Sequence, residues 1–469
     1  MPTSGHGSGG STDKRDLTHG GVRSQLVRLT LPLIGGVSAI MSMGLVDTYF
    51  VGRLGPRQLA AMGFIAPVMF TFASVGIGLG AGASSVIARV IGAGDEARVR
   101  RLTTDSLVLA LLIGAVAAAL GLLTLDPLFR ALGADAEVLG FIREYMRIWY
   151  PALLALLGPM VANNILRANG DSLNPGIIMV VAAVANLILD PVLIFGLAGF
   201  PRLGLAGAAW ATAGSRVMSL LAALAILHFR ERLISFERPS LSELLRSWRE
   251  VLAMGLPAAG GRMVNPIGIG VVTAALATLG PSVVAGFGVA TRVEMFATIP
   301  MRALAAALAP LVGQNWGAHH RDRVLAALRE SIAFCALWTV VTAVVCGLFA
   351  GAISRAFSEG PVVVQTASRY LWIVPASYVG YGVVMVGAAT FNALGRPMVG
   401  LVYYGLRTIA LYAPLAWLLT ARYGTWGLAA AAFIANALAG LVAWLYSTRR
   451  VERYAYDECV PRPNLSIAE

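Results

Sequence analysis

Two carboxylates sit where a bilayer would hold them. Asp47 lies in a stretch, 29–51, that is otherwise apolar or small and long enough to cross a membrane, and Asp190 lies in a second one, 177–197. A charged side chain at such depth costs about 2.5–3.5 kcal/mol on insertion scales, so a membrane protein that retains one generally uses it. Two acids brought close together in a low dielectric cannot both ionise cheaply, so such a pair shares a proton or holds a cation. Asn186 stands one helical turn before Asp190, on the same helix face, where its amide can donate to a carboxylate or offer oxygen to Na⁺. The chemistry these residues suggest is ion-coupled transport. Two structural readings compete with it: Asp47 ending a helix at the interface near Arg53, and Asp190 satisfying backbone donors freed at a kink by Pro191.

The elements that would position these residues are apolar spans. With 57% hydrophobic residues, 13% charged and a mean hydropathy of +0.74 over 469 residues, the chain is far less charged than the soluble average of about 25%. It reads as an all-α integral membrane protein. Apolar segments long enough to cross recur twelve times, near 29–51, 59–88, 103–125, 138–163, 176–198, 204–228, 249–279, 282–312, 327–353, 366–393, 398–420 and 424–447. With both termini placed inside, the connections assigned inside carry about 21 basic residues and those outside about eight, the bias expected of cytoplasmic loops. The net charge of +12 is therefore a topology signal, and no nucleic-acid partner is expected.

Residues 1–26 read as a disordered cytoplasmic tail, 27–229 as a first lobe of six spans, 230–248 as a cytoplasmic connection, 249–447 as a second lobe of six spans, and 448–469 as a second tail. An internal repeat supports the division. Leu54-Gly55-Pro56 recurs as Leu279-Gly280-Pro281, Gly92-Ala93 as Gly317-Ala318, and Arg98-Val99 as Arg323-Val324, all at one constant offset. With six spans per half, the pseudo-twofold runs along the membrane normal and cargo is expected between the lobes. The acids break the repeat: Asp47 matches Val272, and Asp190 matches the region of Leu411-Tyr412. Ion coupling is accordingly expected in the first lobe.

The remaining polar residues read more quietly. Glu294, with Arg292 and Arg302 nearby, suggests an intramembrane salt bridge in preference to a second proton site. Gln314-Asn315 reads as a helix end, and the glycines at 76, 78, 80 and 82 as close helix packing. The three cysteines form no pairing pattern, and His319-His320 has no third ligand nearby, so no metal site is indicated beyond a bound Na⁺. Lys14 is the sole lysine, which excludes a GxxxxGK[ST] nucleotide loop, and no HExxH or GxSxG elbow supports an enzyme.

LTLPL followed by MGLVDTYFVGRLGPRQLAAMG, then NLILDPVLIFG, GLAGAAWAT and LVGQNWGAHHRDRV, resembles the multidrug and toxic compound extrusion (MATE) family, most closely its DinF-like branch, along essentially all twelve spans. The resemblance implies two six-helix lobes in a V, in a monomer of the cell inner membrane, and H⁺- or Na⁺-driven export of small organic cations or amphipathic compounds, with no cofactor besides the coupling ion. By position it implies a coupling-ion site of Asp47, Asn186, Asp190 and Thr212, with Tyr145 and Asn163 as supporting polar residues and Pro32 where the first helix bends. The alternative is a lipid-linked precursor flippase of the same superfamily, which would line its cavity with arginines; Arg216, Arg262, Arg292, Arg302 and Arg407 are the intramembrane arginines that keep it open.

Overall fold

In the computed structural model the described residues are 16–237 and 240–456. The tail expectations for 1–15 and 457–469, with Cys459, lie outside them. Every regular element is helical: α1 Val22–Gly52, α2 Pro56–Gly92, α3 Glu96–Ala131, α4 Ala136–Trp149, α5 Leu153–Ala168, α6 Leu173–Phe195 and α7 Gly204–Ala225 make the first half. The second half is α8 Leu241–Ala277, α9 Pro281–Ala297, α10 Ile299–Gly317, α11 Arg321–Phe357, α12 Pro361–Ile373, α13 Tyr378–Ala393, α14 Pro397–Gly405 and α15 Ala413–Tyr456.

These helices form twelve membrane-crossing rods. α4 with α5 and α9 with α10 are single spans bent by 51° and 43°. α12 runs into α13 through a 3₁₀ turn, α14 into α15 through a π turn at Leu406–Tyr412, and α15 divides at Gly424, whose φ of 58° breaks the helix. α8 carries Glu243, Arg246, Arg249 and Glu250 in its first turns. It begins at Leu241, well before the span expected from 249, because Ser240 and Glu243 form a reciprocal capping box that satisfies the first-turn donors.

The internal repeat has a structural cause at each match. Gly55 and Gly280 take φ of 144° and 109°, values closed to other residues, and each is followed by proline at the first helical position. A side chain on Gly92 would strike the Gln314 carbonyl, and one on Gly317 would strike the Arg89 carbonyl. Arg89 and Gln314 are themselves a repeat pair, so the α2 and α10 ends make one reciprocal backbone contact across the pseudo-twofold. The glycine run of α2 divides by helical phase: Gly76 and Gly80 receive Met160 and Asn164 of α5, while Gly78 and Gly82, on the opposite face, meet Gly255, Ala259 and Val251 of α8.

These contacts lie at the end of the bundle where the chain enters α1 and leaves α15. There the segment read as a disordered tail is ordered from Asp16, which corrects that expectation over 16–26. Leu17 is fully buried in the second-lobe core. Its N–H donates to Gln314 Oε1 at 3.1 Å, and its carbonyl accepts from Asn315 Nδ2 at 2.9 Å and Arg323 at 3.1 Å. Gln314 in turn donates 2.7 Å to the Ala168 carbonyl of α5. The Gln-Asn pair is thus a clasp between lobes, which the reading as a helix end had missed.

Candidate functional site

α1 and α6 pack side by side, with Gly176 seated against the Pro32 carbonyl. Asp47 and Asp190 each lie just over a turn before the end of their helix, so the packing brings them to one level. The two carboxyls are within hydrogen-bond reach of each other. Both are acceptors, so Asn186 presents its amide nitrogen to them, donating to Asp47 Oδ1 at 2.8 Å and Asp190 Oδ2 at 3.2 Å. Asp190 and Asn186 are fully buried and Asp47 is half-buried. Neither structural alternative fits this arrangement: Asp47 faces a buried partner, and the Asp190 carboxylate turns to Asn186 and Asp47, with Oδ1 left unpartnered.

Tyr145 of α4 and Thr212 of α7 close the other side. Both are buried, and the Tyr145 hydroxyl lies against Thr212 and within electrostatic range of both acids. Four of the expected residues and Tyr145 therefore converge, although they come from four helices. Asn163 is buried on α5, and its Oδ1 has no hydrogen-bond partner among the described residues. Pro32 lies inside α1, which runs unbroken from Val22 to Gly52. Sequence reasoning had not placed Arg216 here. One turn after Thr212 on α7, it interacts electrostatically with Asp47 and Tyr145, and its buried Nε has no hydrogen-bond partner among the described residues. The i, i+4 spacing to Thr212 was the available signal. An asparagine amide, a phenol, a hydroxyl and a guanidinium thus surround two carboxyls, which leaves one negative charge to be compensated when both acids are ionised.

The second lobe corrects the expectation for Glu294. Among the described residues it forms no ion pair; Tyr370 donates to its Oε2 at 2.7 Å, Arg302 Nε turns to Thr298 at 3.2 Å, and Arg292 is exposed beside Phe296 and Leu45. Glu294 follows Arg292 closely in sequence but on another face of α9, and Arg302 lies across the bend, so nearness along the chain did not bring the charges together. Nearby, Arg407 is buried in the π turn, bonded through Nε to Asn436 at 2.7 Å and stacked 3.9 Å from the Tyr381 ring centroid. Arg262, Arg302 and Arg407 all lie within electrostatic range of Tyr404.

Twelve helical rods in two pseudo-symmetric lobes, with a buried ionisable cluster in one of them, define a polytopic membrane transporter. The MatE family model matches residues 32–192 and again 257–418, two segments whose starts are separated by the offset of the internal repeat. The chain belongs to that family, the MATE transporters. It is 35% identical over 440 residues to the FAD transporter of Shewanella oneidensis, covering 94% of this chain and 97% of that protein. It is 29% identical over 365 residues to the probable multidrug resistance protein YoeA of Bacillus subtilis, covering 76% and 78%. The outward-facing conformation of a multidrug resistance MATE family transporter superposes with a TM-score of 0.90 at 27% identity, over 95% of this chain and all of that one.

Proposed function

We propose that this transporter is a cation-coupled antiporter of the inner membrane, with both termini cytoplasmic, which exports amphipathic organic compounds in exchange for H⁺ or Na⁺ bound at Asp47, Asn186, Asp190 and Thr212. The observation that carries the reading is the Asn186 amide bridging two carboxyls beside Arg216. One proton or Na⁺ together with the Arg216 guanidinium neutralises the pair; the ion's departure leaves two acids that repel each other, held by one amide and one guanidinium. α1 conveys that difference. It carries Asp47 near one end, while Leu26, Leu29 and Leu33 at the other end pack into the second-lobe core. Pro32, among those leucines, removes a backbone hydrogen bond and supplies a place to flex. Occupancy at Asp47 thereby biases how α1 ties the lobes together, which is the requirement for alternating access.

The test is efflux of a fluorescent lipophilic cation from proteoliposomes under a proton gradient alone or a sodium gradient alone. Transport driven by one ion in the wild type and abolished in Asp47→Asn supports the reading and names the ion. Export by Asp47→Asn at the wild-type rate against a gradient refutes it.

A second reading of the cargo is favoured by the arginines of the second lobe. Among the described residues Arg262, Arg302 and Arg407 have no carboxylate partner, and guanidinium groups beside Tyr381 and Tyr404 suit a phosphate attached to a flat ring. FAD, the cargo in the name of the Shewanella relative, has that chemistry; a lipid-linked pyrophosphate shares the charge without the ring. FAD counterflow that is weakened by Arg302→Gln while dye export persists supports the FAD reading.

A further inference from the structure

A second basic site lies far from the carboxyl pair, at the end of the bundle that bears the termini. α2, α3 and the first turns of α8 enclose a cavity of about 820 Å³, lined by Arg89, Arg98, Arg101, Arg246 and Arg249. Two of the five are neutralised: Arg98 pairs with Glu250 at 3.0 Å, and Arg101 with Asp105 at 3.2 Å and Glu243 at 3.5 Å. Arg89, Arg246 and Arg249 have no carboxylate within ion-pair distance among the described residues. Glu250 acts on Arg89 only from a distance, and Arg89 is packed against Gly395 of the second lobe. Val86, Leu102 and Met254 give the cavity an apolar floor.

The surroundings are those of a membrane interface. Along α8, Leu241, Leu244, Leu245 and Trp248 recur at helical spacing opposite Glu243, Arg246 and Glu250. Leu241 and Leu245 are 70% and 51% exposed, and Phe229 and Phe236 just before them 77% and 79%. Trp248 anchors the helix by donating 3.0 Å to the Asp105 carbonyl of α3. Exposed leucines on one face and Arg246 on the other, at the end of a membrane-crossing rod, place these turns at the level of the headgroup layer. Basic pockets between transmembrane helices at this level hold acidic lipid headgroups.

We infer that this cavity is a binding site for an anionic phospholipid, its phosphate held by Arg89, Arg246 and Arg249 and its acyl chains directed over the apolar floor of Val86, Leu102 and Met254. Because the lining comes from α2 and α3 of the first lobe and α8 of the second, the lipid bridges the lobes on the side where they are already in contact. A bound phosphate compensates arginines that otherwise repel one another, so it stabilises the closed arrangement of that side. The site is independent of the coupling-ion reading.

The experiment is thermal unfolding of the purified full-length transporter in detergent, titrated with phosphatidylglycerol, phosphatidylcholine or glycerol phosphate. Phosphatidylglycerol is expected to raise the Tm and phosphatidylcholine to leave it unchanged. Arg246→Gln and Arg249→Gln, both exposed and with no carboxylate within ion-pair distance among the described residues, are each expected to raise the half-saturating lipid concentration about fivefold. Equal stabilisation by phosphatidylcholine, or a phosphatidylglycerol effect indifferent to both substitutions, overturns the proposal. So does glycerol phosphate matching the lipid, since the site would then take any soluble phosphate.

Discussion

Tyr145 and Tyr370 occupy the same place in the two lobes, related by the offset of the internal repeat, and they face partners, Met69 and Glu294, that are related by the same offset. The Tyr145 hydroxyl lies 4.0 Å from Met69 Sδ, whereas the Tyr370 hydroxyl donates to Glu294 Oε2 at 2.7 Å. The fold thus keeps an inward-facing phenol in each lobe and distributes the acids differently around it. In the first lobe they come from α1 and α6; in the second, a single carboxylate comes from α9. Val272, which matches Asp47, is fully buried and apolar, so the carboxyl pair has no twin although the lobe does hold an acid.

Glu294→Gln keeps an acceptor for Tyr370 and removes the charge. The variant is expected to fold and bind cargo while carrying fewer ions per cycle, read as a changed reversal potential in proteoliposomes. Glu294→Leu also strands the Tyr370 hydroxyl and is expected to cost about 1–3 kcal/mol of stability. An unchanged reversal potential in Glu294→Gln would give Glu294 a purely structural role.

Asn186→Leu removes the amide between the carboxyls and replaces it with a group of similar size. Hydrogen bonds to charged groups are worth about 1.5–3 kcal/mol, so the affinity for the coupling ion should change by at least tenfold. Tryptophan-fluorescence titration of the purified protein with Na⁺ and with H⁺ checks it.

Arg216→Met takes away the positive charge acting on Asp47. The acid pair then depends on its bound cation alone, and apparent affinity for the driving ion is expected to rise roughly tenfold while turnover falls, because release of the ion becomes the slow step. Initial efflux rates at graded ion concentration separate the two effects. Equal affinity in variant and wild type would remove Arg216 from the site.

Gly317→Val inserts side-chain atoms where the Arg89 carbonyl lies and must push α2 and α10 apart. A cysteine placed at Ala88, buried in the wild type, is expected to react with a water-soluble maleimide about tenfold faster in that background. Labelling at the wild-type rate would show that the lobes tolerate the wedge.

Leu17→Ala leaves a hole in the second-lobe core and is expected to cost about 2–4 kcal/mol. Leu17→Asp should go further by releasing the strap from Gln314, Asn315 and Arg323, which limited proteolysis near Gly20 would report.

The sequence by itself determined the twelve spans, the duplication and the two acids, because each is local. Hydropathy over the length of a span, a fixed offset, and a carboxylate in an apolar run need no knowledge of neighbours. The close packing of the α2 glycines and the Asn186–Asp190 spacing were legible for the same reason. The tertiary structure decided what lies beside what. That Arg216 acts on Asp47, that Glu294 turns to Tyr370 and leaves Arg292 exposed, and that Gln314 clasps Ala168 and Leu17 are contacts between helices far apart in sequence. Apolar spans constrain their own length strongly and their rotation about their axes weakly. Which face meets which neighbour was settled by lateral packing, and on that the charges and the clasp depend.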